Sequence, residues 1–447
     1  MEMFKKSDLI TKVSLFIFGF GNIVRGQIGR GLVLLGLQIG YVLFLLFFGL
    51  NHILMLPSLG KTEMGRYFDE SIGIYITTQG DNSMLILLFG VISVFVTLCF
   101  LLLAGKSMKS AYDAQLILQS GKKPPSLLQD LKGLLDKNLH STLLTLPVIG
   151  VISFTVLPVI FMVLMAFTNF DRFHQPPGNL FTWVGFENFK NIFWQNPRWA
   201  QTFFRILGWT FIWAIFATFT NFIFGMIVSL MINKKGIKLK KMWRTFFVMT
   251  IAVPQFVSLM LMARLLNDLG PVNILLDQIH RFFGNTSFEA VKFLSDGNLA
   301  RVTVILVNMW VGIPYTILAT TGILMNIPEE QYEACRIDGA NVLQEFFKIT
   351  LPHMIFVMTP ALITAFVGNI NNFNVIFFLT GGGPNSLDYF QGGQTDLLVT
   401  WLYKLTVNEQ NYSLASTIGI IIFIITATLS LIFYNHSGSI KREEEMQ

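Results

Sequence analysis

The amino-acid sequence predicts an all-α integral membrane protein with about eight transmembrane helices. Three observations carry that expectation. Hydrophobic residues make up 53% of the chain and charged residues only 13%, about half the charged share usual in a soluble domain. The apolar residues gather into blocks long enough to cross a bilayer, which takes roughly 20 residues each. The basic residues cluster in alternate loops between those blocks, the arrangement that sets orientation in a membrane.

The chain opens on a short apolar run, Val13 to Val24, interrupted by Gly19, Gly21 and Asn22. It is too short to span and has no small-residue cleavage site, so it reads as an interfacial or short buried helix. Eight spans follow, at approximately 31–50, 84–104, 143–168, 206–232, 247–266, 302–325, 353–380 and 414–434. Backbone groups in hydrocarbon must be bonded internally, which makes each span helical. Gly36 and Gly40 form a GxxxG pair in the first span, a pattern for close helix packing. Pro147, Pro158, Pro254, Pro314 and Pro360 fall in or near spans, as bundles allow where neighbours satisfy the freed groups.

Lysine and arginine counts orient the chain. The amino-terminal segment has five (Lys5, Lys6, Lys12, Arg25, Arg30), the loop 105–142 six, and the loop 233–246 six. The alternate loops carry two (51–83), four (169–205), three (267–301) and one (381–413). Basic loops stay in the cytoplasm, so both termini are expected there. The net charge of +6 is therefore read as membrane orientation, with no nucleic-acid partner. One inner loop departs from the pattern: 326–352 has Arg336 and Lys348 against Glu329, Glu330, Glu333, Asp338 and Glu345.

That loop reads as two short helices joined at Gly339. Pro328 can open the first, with Glu329 and Glu330 well placed against its amino-terminal dipole. Gly339 permits a turn that a side chain would resist. The second helix carries an apolar stripe of Val342, Leu343, Phe346, Phe347 and Ile349, and Pro352 marks the entry to the next span. A helical hairpin with an acidic rim and an apolar face is suited to docking in a partner's groove.

The seventh span contains Gly368-Asn369-Ile370-Asn371-Asn372-Phe373-Asn374. Four amides within six residues are costly in lipid and should face a wet cavity or another helix. Spacings of three and four put Asn369, Asn372 and Phe373 on one helical face. Span six adds Asn308, Trp310 and Tyr315, with Asn308 and Tyr315 seven residues apart and so aligned. Amides bond sugar hydroxyls as donors and acceptors, and aromatic faces stack on pyranose rings. For any single asparagine, bridging helices is the better reading; the cluster as a group favours a cavity lining.

Other chemistries find little support. The histidines at 52, 140, 174, 280, 353 and 436 have no metal-ligand spacing, and no HExxH or GxSxG occurs. Ala104-Gly105-Lys106-Ser107 lacks the first glycine of a phosphate-binding loop, since position 100 is Phe100. Cys99 and Cys335 make neither a disulfide framework nor a metal site. An ion-driven transporter would need charge inside the spans; apart from Arg264, which can snorkel from the outer end of span five, they hold essentially none. No catalytic or metal-binding residue is expected, and energy must come from outside the chain.

The hairpin also carries a family pattern. Glu333-Ala334-Cys335, then Gly339, Ile349 and Leu351-Pro352 resemble the signature of permease subunits of ABC importers, with cysteine in place of the second alanine. Asn371-Asn372-Phe373, the Gly-Gly-Pro turn ending at Pro384, and Thr395-Asp396-Leu397-Leu398-Val399 with Tyr403-Lys404 resemble the MalF-like permeases of maltose and maltodextrin importers over about residues 140–436. The resemblance implies a six-helix importer core at 141–436, preceded by an amino-terminal segment, 1–140, that adds two spans, and followed by a cytoplasmic tail, 437–447. It implies sugar contacts at Asn308, Val311, Gly312, Tyr315, Asn369 and Asn372, with Gln255 where the family has serine, Ile251 where it has tyrosine, and Gly368 where it has phenylalanine. It implies ATPase coupling through Glu333, Ala334, Asp338, Gly339, Ile349, Leu351 and Pro352 of the hairpin 327–352. The implied partners are a second, MalG-like permease, two ATPase subunits, an extracytoplasmic sugar-binding protein, membrane lipid and an oligosaccharide. ATP and Mg would be bound by the ATPases, with no cofactor in this chain. Loop 169–205 is too short for the folded insertion of the Gram-negative members, so the chain resembles the shorter Gram-positive form. Maltodextrins are the first expectation, and galacto-oligosaccharides, raffinose-type or uronate oligosaccharides the alternatives.

Overall fold

The computed structural model describes residues 4, 6–234, 236–284 and 287–436. Lys5, Lys235 and the tail 437–447 lie outside them. Among the described residues seven helices are long and apolar enough to cross a membrane, and one sharply bent pair makes an eighth. The chain forms two compact units, Met1–Gly185 and Phe186–Gln447. This division falls after the third span, whereas the resemblance began the core before it.

The first unit opens with α1 (Leu9–Val13) and α2 (Phe20–Val24), so the run 13–24 is an elbow and not one helix. Gly19 turns it at φ +74, and a Cβ there would lie 2.3 Å from the Gly31 carbonyl oxygen. Three long helices follow: α3 (Ile28–Met55), α4 (Ser83–Gln119) and, after the short α5 (Leu127–Leu135), α6 (Leu139–Met165). The elbow docks on α4. Gly19 N donates to Ser107 Oγ at 3.0 Å, and Thr11 Oγ1 donates to Gln115 Oε1 at 3.0 Å. Gly36 and Gly40 have no atom within 4 Å of an added Cβ, so the packing expected of them is not made within the described residues. Between α3 and α4 the all-α architecture carries one small addition: β1 (Gly65–Asp69) pairs antiparallel with β2 (Ile74–Thr78). Two five-residue strands carry too little alternation to stand out beside 20-residue apolar blocks.

The elbow is pinned by an ion pair. Arg25, almost wholly buried, donates to Asp8 at 2.7 Å and to the Ala111 carbonyl at 2.6 Å. Burial works against the charged Asp8 carboxylate, but the Arg25 guanidinium and the Thr11 hydroxyl and amide hold its pKa at about 2, below the usual 3.8. The folded value lies under the unfolded one. The stabilisation is therefore complete above about pH 4 and is lost as pH falls through about 2. Hydrogen exchange of the 9–24 amides should rise over that window; protection unchanged down to about pH 2 would show that the pair does not hold the elbow.

The second unit begins with α7 (Glu187–Lys190) and the long α8 (Pro197–Asn233). Then come α9 (Lys240–Ala252), α10 (Gln255–Leu265), α11 (Pro271–Phe282) and α12 (Gly297–Asn326). The hairpin follows as α13 (Glu329–Ile337) and α14 (Val342–Ile370), and the unit closes with α15 (Phe373–Leu379), α16 (Leu398–Val407) and α17 (Tyr412–His436). In lipid, helix association relies on close packing and polar bridges more than on hydrophobicity. Here α8 and α12 approach through Gly225, whose added Cβ would meet Thr316 at 2.5 Å, and through Ser229 Oγ and Thr321 Oγ1 at 2.9 Å. Trp213, Leu259, Val304, Val375 and Ile376 form a buried core joining α8, α10, α12 and α15.

Two expected spans are broken. The fifth bends by 89° between α9 and α10. Val253 is extended at ψ +126 because the ring of Pro254 disfavours the helical region for the residue before it, and Pro254 has no N–H to continue the ladder. The seventh ends at Ile370 and restarts at Phe373, so Asn369 and Asn372 lie on either side of a joint and not on one helical face. Pro352, by contrast, interrupts nothing. The helix runs from Val342 through a wide π turn at Phe346–Thr350, and that turn holds Lys348, whose carbonyl a proline four residues on would otherwise crowd. Pro158 follows a matching π turn, Ile152–Val156.

At the end of the unit opposite the hairpin, residues 380–411 form a bonded cap. Asp396 is completely buried and accepts from Lys404 Nζ at 2.6 Å, Gly393 N at 2.7 Å and Thr400 Oγ1 at 2.9 Å. Burial pushes its carboxyl up from the ordinary value, and Lys404 pulls against it. The cap is tied to α8 by Trp209 Nε1 donating to the Thr395 carbonyl at 3.1 Å, and to α12 by Arg301 Nε donating to the Gln394 carbonyl at 2.9 Å.

Candidate functional site

The residues expected to contact sugar fall into three groups within the second unit. Gln255, the first residue of α10, faces Val311 and Tyr315 of α12 across a narrow cleft of about 20 Å3 at the helix break, with Thr250, Ile251, Val253, Ser258 and Trp310 completing the wall. Tyr315 and Trp310 are each 55% exposed, so two aromatic faces are open. Among the described lining residues none is charged.

Asn369 and Asn372 form the second group, at the joint between α14 and α15. Asn369 Nδ2 donates to Thr218 Oγ1 at 2.9 Å, and its carbonyl accepts from Trp213 Nε1 at 3.1 Å. Asn372 Nδ2 donates to Asn369 Oδ1 at 3.1 Å, and its own Oδ1 caps α15 by accepting from Val375 N at 3.3 Å. In this geometry both amides bridge helices. Asn374 Nδ2, 3.5 Å from Gln255 Oε1, links the joint to the cleft. Phe373 stacks on Phe377 with centroids 4.7 Å apart.

The third group lies between α8 and α12. Asn308 is 4% exposed, unlike Tyr315 on the same side of the helix, and its Nδ2 has no hydrogen-bond partner. Gly312, one turn on, lets Asn221 of α8 approach so closely that an added Cβ would lie 2.1 Å from its Nδ2. Sequence reasoning missed Asn221 and Thr218. An asparagine inside an apolar span was the available signal.

The hairpin is built as expected at its turn and is stiffer than expected across its arms. Gly339 sits at φ +79. Its N–H donates to the Arg336 carbonyl at 3.0 Å and the Ala340 N–H to the Cys335 carbonyl at 3.1 Å, the pair of bonds that closes a Schellman turn. Arg336 of α13 grips Glu345 of α14 with two bonds, at 3.0 and 3.2 Å, and Glu345 raises the Arg336 pKa. Asn341 and Gln344 cap the second arm reciprocally, and Tyr332 OH lies 3.1 Å from Thr350 Oγ1. Glu333, Ala334 and Asp338 are exposed on the first arm, while Ile349 and Leu351 are half-buried at the root beside the exposed Pro352. The tip presents Ile337, Val342 and Leu343 to the outside at 85%, 81% and 68%.

Comparison with known proteins places this architecture. Residues 221–439 match the model of the binding-protein-dependent transport system inner membrane component. The chain is 35% identical over 365 residues to the galactooligosaccharides transport system permease protein GanP of Bacillus subtilis, covering 81% of this chain and 85% of that protein. It is 32% identical over 431 residues to the maltodextrin transport system permease protein MdxF of the same organism, covering 96% and 95%. The chain belongs to the family of binding-protein-dependent transport permeases. As a MalF-like permease it is also 34% identical over 261 residues to MalF of Klebsiella aerogenes, covering 57% of this chain and 49% of that one. A bacterial ABC transporter that imports the acidic polysaccharide alginate shares the fold at a TM-score of 0.53 and 23% identity, covering 69% of the permease and 98% of that chain. The family match begins inside α8 and runs past α17, taking in the cleft, the joint and the hairpin. The permease is a multi-pass membrane protein and a translocation component.

Proposed function

We propose that the permease is one of two membrane subunits of an ATP-driven importer for neutral oligosaccharides, with maltodextrins as the first substrate class. The observation that carries this reading is the cleft at the α9–α10 break. It offers an amide, a serine hydroxyl and two open aromatic faces, and no charge, which is the chemistry of a neutral sugar site. The relationship to MdxF supports the maltodextrin reading. The relationship to GanP, at 35% identity, favours galacto-oligosaccharides as a second reading.

In this proposal the permease pairs with a MalG-like subunit and receives sugar from an extracytoplasmic binding protein. Two ATPase subunits bind ATP and Mg, and the permease holds no cofactor itself. The hairpin tip seats in an ATPase groove, with Glu333 toward a basic residue there. Closure of the ATPase pair pulls on α13 and α14, and the break at Pro254 and the joint at Asn371–Asn372 let half-helices on either side of the cleft move separately.

Uptake of labelled maltotriose and galactotriose by the reconstituted importer decides between the two readings. Tyr315→Ala should raise the KM for the transported sugar roughly tenfold, about one aromatic contact, with basal ATP hydrolysis and thermal stability kept. Unchanged uptake in that variant would remove the cleft from the pathway. Orientation is checked with single cysteines at Lys122 and Asp388, which should label from opposite faces of intact cells. Labelling of both from outside would overturn the cytoplasmic placement of the basic loops.

A further inference from the structure

A cavity of about 600 Å3 opens into the 380–411 cap, a size in the ~300–1,000 Å3 range of small-molecule sites. Asn385, Ser386, Tyr389, Gln391, Asn408 and Glu409 line it. Two features of Gln391 set it apart from a surface dent. Gln391 is held at φ +55, a left-handed conformation that a non-glycine residue rarely keeps unless its surroundings require it. Its Nε2 donates to Glu409 Oε2 at 2.6 Å, while its Oε1 is buried with no hydrogen-bond partner. Buried polar atoms are nearly always bonded, so a wall residue that keeps an unbonded amide oxygen is poised to turn it toward a ligand's donor.

The charges around the cavity are already engaged. Lys404 is closed on Asp396, Glu409 takes the Gln391 amide, and Arg301 donates to Tyr389 OH at 2.8 Å. What the wall has to offer is amide and hydroxyl groups beside the Glu409 carboxylate, a mix of donors and acceptors that suits the hydroxyls of a polyol. The cap crowns the starts of α8, α12 and α17, at the end of the unit opposite the hairpin.

We infer that this cavity is an outer saccharide subsite, in which one neutral sugar unit is held before the chain enters the cleft at Tyr315. The inference rests on the saccharide-permease reading. Transport should then depend on Gln391, which lies at the opposite end of the unit from the hairpin and outside the cleft. In the full importer, reconstituted with its ATPases and binding protein, Gln391→Leu should raise the KM for maltotriose about fivefold. Turnover at saturating sugar and thermal stability should match wild type. Asn408→Ala serves as a second variant if Gln391→Leu folds poorly, and should shift KM in the same direction.

A direct readout needs no transport. With Cys99→Ser and Cys335→Ala as background, Ser386→Cys in the full complex without binding protein should react with a small maleimide. Saturating maltotriose should slow that reaction several-fold. Equal labelling rates with and without maltotriose, or an unchanged KM in both variants, would overturn the subsite. A weaker response to binding-protein concentration with no sugar protection would overturn it too, and would assign the cavity to a side chain of that protein. A wild-type importer that carries none of the saccharides tested would instead overturn the saccharide reading, and the subsite with it.

Discussion

Gly339→Val is expected to uncouple the importer while leaving it inserted and assembled. The residue stands at φ +79 in the turn that joins α13 and α14, and the space around it is open, so the obstacle is the backbone alone. A side chain in this left-handed conformation costs about 1–2 kcal/mol, and more when it is β-branched. That is enough to shift the population of an exposed turn by roughly tenfold. The bonds from Gly339 and Ala340 back to Arg336 and Cys335 would be disturbed, and with them the two-bond grip of Arg336 on Glu345. A wedge transmits force only if its arms keep their angle. Sugar-stimulated ATP hydrolysis should therefore fall about tenfold in Gly339→Val and far less in Gly339→Asn, because asparagine tolerates the same angles. Normal stimulated hydrolysis in the assembled valine variant would count strongly against coupling through this hairpin.

Asp396→Ala should be the most destabilising single change in the cap, at about 3–5 kcal/mol, the usual cost of breaking a buried ion pair from one side. The variant leaves the Lys404 ammonium without its partner and frees the Gly393 N–H and the Thr400 hydroxyl. Thr400→Val removes one of those bonds and should cost only about 1–2 kcal/mol. Gly382→Ala tests the same packing from the other side, since its Cβ would lie 1.8 Å from Asp396 Oδ1 on a backbone at φ +82. Unfolding midpoints of the purified chain should rank Thr400→Val nearest to wild type, with Asp396→Ala and Gly382→Ala well below. Equal midpoints for Asp396→Ala and wild type would show that the cap does not depend on this pair.

Read alone, the sequence determined where the chain crosses the membrane and where it turns outside it. Each apolar block overlaps a long helix or the bent pair, because bilayer thickness and internal hydrogen bonding leave few other solutions, but the ends differ: the helix on block 84–104 runs on to Gln119, and the one on 353–380 starts at Val342. It also determined the hairpin's turn, since a glycine between an acid-opened helix and an apolar stripe has few alternative conformations. Tertiary structure alone decided the rest. Five prolines looked alike in the sequence, yet only Pro254 breaks its helix, while Pro147, Pro314 and Pro360 sit inside continuous ones and Pro158 follows a π turn. Helical periodicity aligned Asn369 with Asn372, but Asn372 caps a new helix, and a cap is recognised only once the helix it starts is known. Asn308 and Tyr315 share one side of α12, yet one is buried and the other open, a difference that spacing along the helix does not carry. The Arg336–Glu345 grip and the Asp396–Lys404 pair join residues whose spacing carries no signal until the chain has folded, since charge pairing depends on distance in space and not along the sequence.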